Sequence, residues 1–109
     1  MELALRLVQE TTGKLLAARE EAGADLFLAN ASLYREMLGH LVIAWLWLRQ
    51  AQVATRRMES ATGANRDFYR GKLQACAYFF NWELPKVQYQ ANILAGLEPT
   101  CYDMQDSWF

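Results

Sequence analysis

The fold is decided by residues 33–51, which read LYREMLGHLVIAWLWLRQA. Apolar residues recur in this stretch at intervals of three and four, the spacing of one face of an α-helix. That face carries Leu33, Met37, Leu41, Ala44, Leu48 and Ala51. A second apolar face carries Tyr34, Leu38, Val42 and Trp45. Two apolar faces on one helix predict that it packs against neighbours on two sides.

The same periodicity on the N-terminal side predicts a first helix over about residues 2–20, which ends at Gly23 because glycine is favoured after a helix. Its buried face carries Ala4, Val8, Thr11, Leu15 and Ala18. Asp25 is the expected N-cap of the long central helix, which reaches to about Ser60.

On the C-terminal side, Asn65 is the expected cap of a third helix. Pro85 interrupts the pattern of this helix and predicts a kink, or a break followed at once by a fourth helix. Gly96 closes the region. Thr100 and Asp103 have the spacing of a capping box and predict a final short turn.

Composition agrees with a helical domain. The chain has 109 residues, of which 53% are hydrophobic, and it contains 2 prolines and 6 glycines. We therefore expect a single all-α domain over residues 1–109, folded as an antiparallel three- to four-helix bundle. The apolar run of residues 41–48 is much shorter than the roughly 20 residues that a membrane span requires.

Charge and cysteine content give further expectations. The formal net charge of −1 gives no electrostatic reason to expect nucleic acid or an anionic membrane as a partner. Cys76 and Cys101 do not form a metal or redox motif by themselves, and their low number is unlike that of small secreted scaffolds. We expect both to be reduced thiols in a cytoplasmic protein.

No complete active site is readable in the residues. His40 is the single histidine, with Glu36 one turn before it, and this is the wrong spacing for a di-metal carboxylate bundle. Cys76 lies on an apolar helix face, where burial makes a thiol inert. The chain lacks a glycine-rich phosphate loop of standard spacing. We therefore expect neither a catalytic residue, nor a metal site, nor a bound cofactor within this chain.

Aromatic residues are the strongest local feature. We expect Trp45, Phe80 and Trp82 to be buried in the core. Trp47 lies two positions after Trp45, so that the two point about 200° apart on a helix and cannot both face one core. We therefore expect Trp47 to face another protein surface. The candidate interface residues are Ile43, Leu46, Trp47, Trp108 and Phe109.

Several blocks of sequence resemble the C-terminal helical domain of flavin-dependent acyl-CoA dehydrogenases, of the long type that includes the methylmercaptopropionyl-CoA dehydrogenases. The blocks are Asn30–Tyr34, Gly39–Val42, Ala44–Ala51, Asp67–Ala75, Tyr78–Pro85 and Thr100–Phe109. They cover most of residues 30–109, whereas the first helix departs most from the family pattern.

The resemblance implies that FAD, the acyl-CoA cleft and the catalytic glutamate belong to upstream domains, so that no catalytic residue is carried over. It implies that Phe109 is the natural end of a parent enzyme and Met1 an added start. The chain would then pack on the catalytic body or a neighbouring subunit, with a contribution to the substrate entrance left open. The parent would remove an α-proton with a carboxylate and transfer a hydride from the β-carbon to FAD.

Two other functions remain as alternatives. One is a stand-alone helical module that binds a protein partner through Trp47 and the terminal aromatic residues. The other is a small-molecule binding bundle, which requires a closed apolar cavity between its helices. We also expect the isolated chain to self-associate through surplus apolar surface, unless residues 100–109 fold back over it.

Overall fold

The computed structural model describes the backbone of residues 1–109 and the side chains of all of them except residue 22. Over this backbone the chain is helical and contains no β-strand. The long helices are α1 (Glu2–Ala22), α3 (Ala31–Met58) and α4 (Gly63–Tyr78). A short α2 (Ala24–Leu28) and a later α5 (Lys86–Ala95) accompany them. The all-α prediction is confirmed.

Helix boundaries agree with the sequence at the breaks and differ at the caps. Gly23 ends α1 with φ 91°, a backbone conformation that glycine tolerates best. Asp25 lies inside α2, so its predicted role as N-cap of the central helix is wrong; Asn30 holds that position. Asn65 likewise lies inside α4, which Thr62 precedes.

Pro85 produces a break followed at once by another helix, as one of the two predicted outcomes. The five residues Phe79–Glu83, which end two positions before Pro85, form a π-helix, and the Leu84 amide donates to the Phe79 carbonyl at 2.9 Å. A π-turn accommodates one extra residue and rotates the following side chains around the axis. Leu84 and Val87 are buried on either side of Pro85.

The helices meet around the N-terminal half of α3. Here α1 and α5 pack on each other and on α3, whereas the C-terminal half of α3 packs mainly on α4. The buried core is shared by these elements and consists of Val8, Leu15, Met37, Ala44, Phe79, Leu84, Val87, Ala91 and Leu94. The C-terminal half of α3 and α4 therefore project as a hairpin from a three-helix base, which consists of α1, α5 and the N-terminal half of α3.

The molecule is elongated. Its principal extents are 63 × 32 × 16 Å and its radius of gyration is 19.0 Å. A compact domain of about 100 residues has a radius of gyration of about 13 Å. The projecting hairpin of α3 and α4 causes the difference, and it leaves a long side of α3 without a covering helix.

Candidate interaction surface

Four exposed apolar side chains near the middle of α3 form a surface that we call the open face: Val42, Ile43, Trp45 and Leu46. At about 100° per residue they span about 160° of the helix circumference. Ile43 and Leu46, both expected at an interface, are each 45% exposed. A helix side that faces solvent is normally polar, so this face is typical of a contact with another surface.

The two tryptophans of α3 are placed opposite to the prediction. Trp47 is half-buried and packs against the core, so its assignment to the surface is wrong. Trp45 is 49% exposed, so its assignment to the core is also wrong. The Arg49 guanidinium lies 5.1 Å from the centre of the Trp45 ring, in cation–π range.

Aromatic residues on α4 and the π-helix add to the exposed surface. Trp82, expected in the core, is 69% exposed and stacks on Tyr78 with ring centres 6.2 Å apart. Phe68 is exposed, and the Lys72 ammonium lies 5.3 Å from its ring centre. Phe80 was expected in the core, and it is half-buried and packs against the core.

The C-terminal segment does not fold back over the open face. All residues from Thr100 to Phe109 are exposed, although they form α6 (Thr100–Asp103) and a 3₁₀ turn (Asp106–Trp108). Pro99, and not Thr100, is the N-cap of α6, so the predicted capping box is wrong; the Thr100 hydroxyl donates to the Glu98 carboxylate instead. Trp108 and Phe109 are among the most exposed side chains.

A small polar cluster joins α3 to the π-helix. Lys86 Nζ donates to Glu83 Oε2 at 2.7 Å, and His40 Nε2 lies 3.9 Å from the same oxygen. The hydrogen bond from Lys86 lowers the pKa of Glu83, and the same bond raises the pKa of Lys86. His40 therefore faces Glu83 and the Phe79 ring, whose centre lies 6.3 Å from that of the imidazole.

Three further properties of the described part of the chain concern thiol reactivity, metal binding and membrane spanning. Burial raises the pKa of the Cys76 thiol, which disfavours its reactive thiolate form. Among the described residues, no group of three or more His, Cys, Asp and Glu side chains is placed to hold a metal ion. No helix in the described structure combines the length and apolar composition needed to cross a membrane.

Two of the concave regions on the described surface lie between helices. A groove of 310 Å³ between α3 and α4 is lined by Arg49, Gln50, Val53, Ala54, Phe68, Tyr69 and Lys72. A cavity of 360 Å³ lies where α1, α2, α3 and α5 meet, and Leu15, Phe27 and Leu94 contribute to its largely apolar wall. One end of this wall is fixed by a 2.8 Å hydrogen bond between the Thr12 and Tyr34 hydroxyls.

A family model described as "Acetyl-CoA dehydrogenase C-terminal like" matches residues 1–105. The chain belongs to this family. A curated relative, the broad-specificity linear acyl-CoA dehydrogenase FadE5 of Mycobacterium tuberculosis (strain ATCC 25618 / H37Rv), is 30% identical over 101 residues. The match covers 90% of this chain and 16% of the relative. No solved structure matches the chain.

Membership of this family agrees with the resemblance found in the sequence, down to the C-terminal domain of an acyl-CoA dehydrogenase. The exposed aromatic residues beside cations were not predicted. Their signal was readable, because Trp45 and Arg49, like Phe68 and Lys72, are four positions apart and so are neighbours on one helix face.

Proposed function

We propose that this chain is the C-terminal structural domain of a FAD-dependent acyl-CoA dehydrogenase of the long, methylmercaptopropionyl-CoA dehydrogenase-like type. Its role is to pack the open face against the catalytic body or a neighbouring subunit of a homo-oligomer. The observation that carries the proposal is the exposed apolar side of α3, in a chain that matches about a sixth of an acyl-CoA dehydrogenase.

The accessible surface supports a large contact. It measures 7824 Å². A compact monomer of this mass exposes about 6,200 Å², so the chain exposes roughly 1,600 Å² in excess. One partner in a standard protein interface buries about 800 Å². The excess is therefore large enough for a stable contact, and the apolar side chains of the open face favour a permanent one.

The antiparallel three- to four-helix bundle expected from the sequence is part of this proposal. In the chain itself only the base of α3 has helices on two sides, and its C-terminal half has α4 alone. A helix of the catalytic body laid on the open face would complete the bundle. Ile43 and Leu46 would then be buried between the two surfaces.

We assign FAD and the oxidation of acyl-CoA to enoyl-CoA to the upstream domains. The 360 Å³ cavity does not fit a dinucleotide, because it is lined by apolar side chains, with Thr12, Asn30 and Tyr34 as its polar members, none of which is cationic. A pyrophosphate needs cations or a cradle of backbone N–H groups. The chain would support the reaction by packing, without contributing a catalytic residue.

We place the protein in the cytoplasm, without nucleic acid or membrane as a partner. The support is that Cys76 and Cys101 are both free thiols, which suits a reducing compartment.

The proposal is tested by mixing the chain with the upstream dehydrogenase portion of its native gene product, expressed separately. We expect a complex in sedimentation velocity at micromolar concentration. The paired substitutions Ile43→Asp and Leu46→Asp should abolish it, because they place two charges in the open face. Leu3→Asp is the matched control, since Leu3 is 78% exposed on α1 and lies outside the open face.

Separate sedimentation of the two proteins would contradict the proposal and favour the stand-alone interaction module. An unchanged complex with the Ile43→Asp and Leu46→Asp variant would show that the open face is not the contact. Circular dichroism of each variant controls for folding.

A further inference from the structure

Charge is strongly segregated along the chain. Residues 49–72 carry six basic side chains, Arg49, Arg56, Arg57, Arg66, Arg70 and Lys72, and two acidic ones, Glu59 and Asp67. This segment has a net charge of +4, so the rest of the chain has −5. The near-neutral total therefore conceals a cationic end of the molecule, formed by the α3–α4 hairpin, and an anionic remainder.

The cationic end contains the 310 Å³ groove between α3 and α4, which we call the basic groove. Arg49 and Lys72 line it together with the apolar Val53 and Ala54 and the aromatic Phe68 and Tyr69. A cavity of about 150 Å³ is enough to hold a benzene ring. The basic groove can therefore accept an aromatic side chain while two cations stand at its edge.

The anionic remainder contains a segment with the complementary chemistry, residues 100–109, which we call the acidic tail. It carries Asp103 and Asp106 and lacks a basic residue. All ten of its residues are exposed, including Tyr102, Trp108 and Phe109. An exposed segment with three aromatic residues and two carboxylates matches an apolar groove flanked by cations.

The acidic tail cannot reach the basic groove of its own chain in this conformation. Glu98, two residues before the tail, accepts a 2.9 Å hydrogen bond from Asn30 at the start of α3. Along α3, Asn30 lies about 30 Å from Arg49 at 1.5 Å per residue. Ten residues span about 33 Å at most when fully extended. The tail contains a helical turn and a 3₁₀ turn, which shorten it well below that limit.

We propose that the acidic tail of one copy of this chain docks in the basic groove of a second copy. The aromatic residues of the tail enter the groove, and Asp103 and Asp106 pair with cations at its edge. A two-fold arrangement of two elongated molecules places each tail beside the groove of its partner, so both contacts form in one closed dimer. The inference goes beyond the proposed function, because it concerns the basic groove and the acidic tail and not the open face.

The test is a charge swap in the 109-residue chain, read by sedimentation equilibrium at tens of micromolar. The groove variant carries Arg49→Glu and Lys72→Glu, and the tail variant carries Asp103→Lys and Asp106→Lys. Each variant alone pairs like charges at both contacts, so we expect its dimerisation to weaken at least about tenfold. A mixture of the two pairs opposite charges at both contacts, and we expect it to restore the dimer as a heterodimer.

Two controls separate the proposed contact between tail and groove from general effects of charge and folding. Arg6→Glu with Lys14→Glu makes the same change in net charge as the groove variant, but at exposed positions of α1, and it should leave the dimer unchanged. A labelled peptide of residues 98–109 should bind the chain truncated after Pro99, and it should bind the truncated groove variant at least about tenfold more weakly. This titration does not require the variants to dimerise.

Dimerisation that persists in the truncated chain, or a charge-swap mixture that stays monomeric, would overturn the proposal. Binding of phosphatidylserine vesicles or of duplex DNA by the basic groove, without binding of the peptide, would also overturn it and assign the groove to that other partner.

Discussion

Asn30 and Glu98 are joined by a hydrogen bond, in which the Asn30 side-chain amide donates to the Glu98 backbone carbonyl at 2.9 Å across 68 positions of sequence. The bond fixes the start of α3 to the segment that follows α5, and so holds together one end of the three-helix base. Asn30 is at the N-cap position, where an asparagine usually bonds to its own helix. Here its side chain bonds to a distant segment instead.

Asn30→Ala should therefore lower the free energy of unfolding by about 1–2 kcal/mol, the cost of a lost hydrogen bond with one partner left unpaired. Asn65→Ala, at an exposed position in the first turn of α4, is the control and should change it by less than about 0.5 kcal/mol. Urea unfolding followed by circular dichroism measures both. Equal effects of the two substitutions would show that the Asn30 bond contributes nothing specific.

Trp47 should contribute more than Trp45 to the free energy of unfolding, which is the reverse of the burial expected from the sequence. Trp47→Ala should cost about 2–3 kcal/mol, below the range for a fully buried aromatic residue because Trp47 is half-buried. Trp45→Ala should cost less than about 1 kcal/mol, since the indole is 49% exposed. A larger loss for Trp45 in urea unfolding would mean that α3 is rotated from the orientation described.

The contrast between these residues shows what the sequence could and could not predict. The buried face of α1 was readable, since Val8, Thr11 and Leu15 are all buried on a helix with one set of neighbours. In α3 the apolar residues extend around the helix, so periodicity alone cannot tell which of Trp45 and Trp47 faces the core. Burial there depends on where α1, α4 and α5 end, which is a property of the tertiary fold.

The π-helix explains a second error. Trp82 was expected in the core, and a regular α-helix would place it on the same face as Phe79, yet Phe79 is buried and Trp82 is 69% exposed. The extra residue in a π-turn shifts the register by about 100°. Pro85 revealed a break in the helix, but not the kind of turn before it. Ile43 and Leu46 were expected at an interface and are exposed, whereas the exposure of the cation-flanked aromatic residues was not expected.

Two glycines of α4 should respond oppositely to the same substitution. Gly71→Ala should stabilise the chain by about 0.5–1 kcal/mol, because Gly71 lies inside the helix and an added methyl group meets open space. Gly63→Ala should destabilise it by about 1–2 kcal/mol, because Gly63 has φ 55°, where a β-carbon is strained. Thermal and urea unfolding of both variants check the signs, and a common sign would contradict the described start of α4.

The Glu83–Lys86 pair should make stability depend on pH at both ends of the range. Because the folded state lowers the pKa of Glu83, its contribution is present above the unfolded-state pKa and is lost as the pH falls through the folded-state pKa. The folded state raises the pKa of Lys86, so that contribution is lost as the pH rises through its folded-state pKa.

Glu83→Gln should therefore flatten the acid side of a plot of urea midpoint against pH, by a small amount because the pair is exposed. Glu59→Gln, at an exposed position after α3, is the control. An acid limb as steep in Glu83→Gln as in the unsubstituted chain would show that the pair does not couple to folding.

The central claim is that the open face of α3 is buried against other parts of an acyl-CoA dehydrogenase. Oxidative footprinting with mass spectrometry tests it most directly, by comparing the 109-residue chain with the longer dehydrogenase of which we propose that it is the C-terminal domain. We predict that Ile43, Trp45 and Leu46 are labelled several-fold more slowly in the longer protein, while exposed Leu3 is labelled equally in both. Equal labelling of Ile43, Trp45 and Leu46 in the two proteins would contradict the claim.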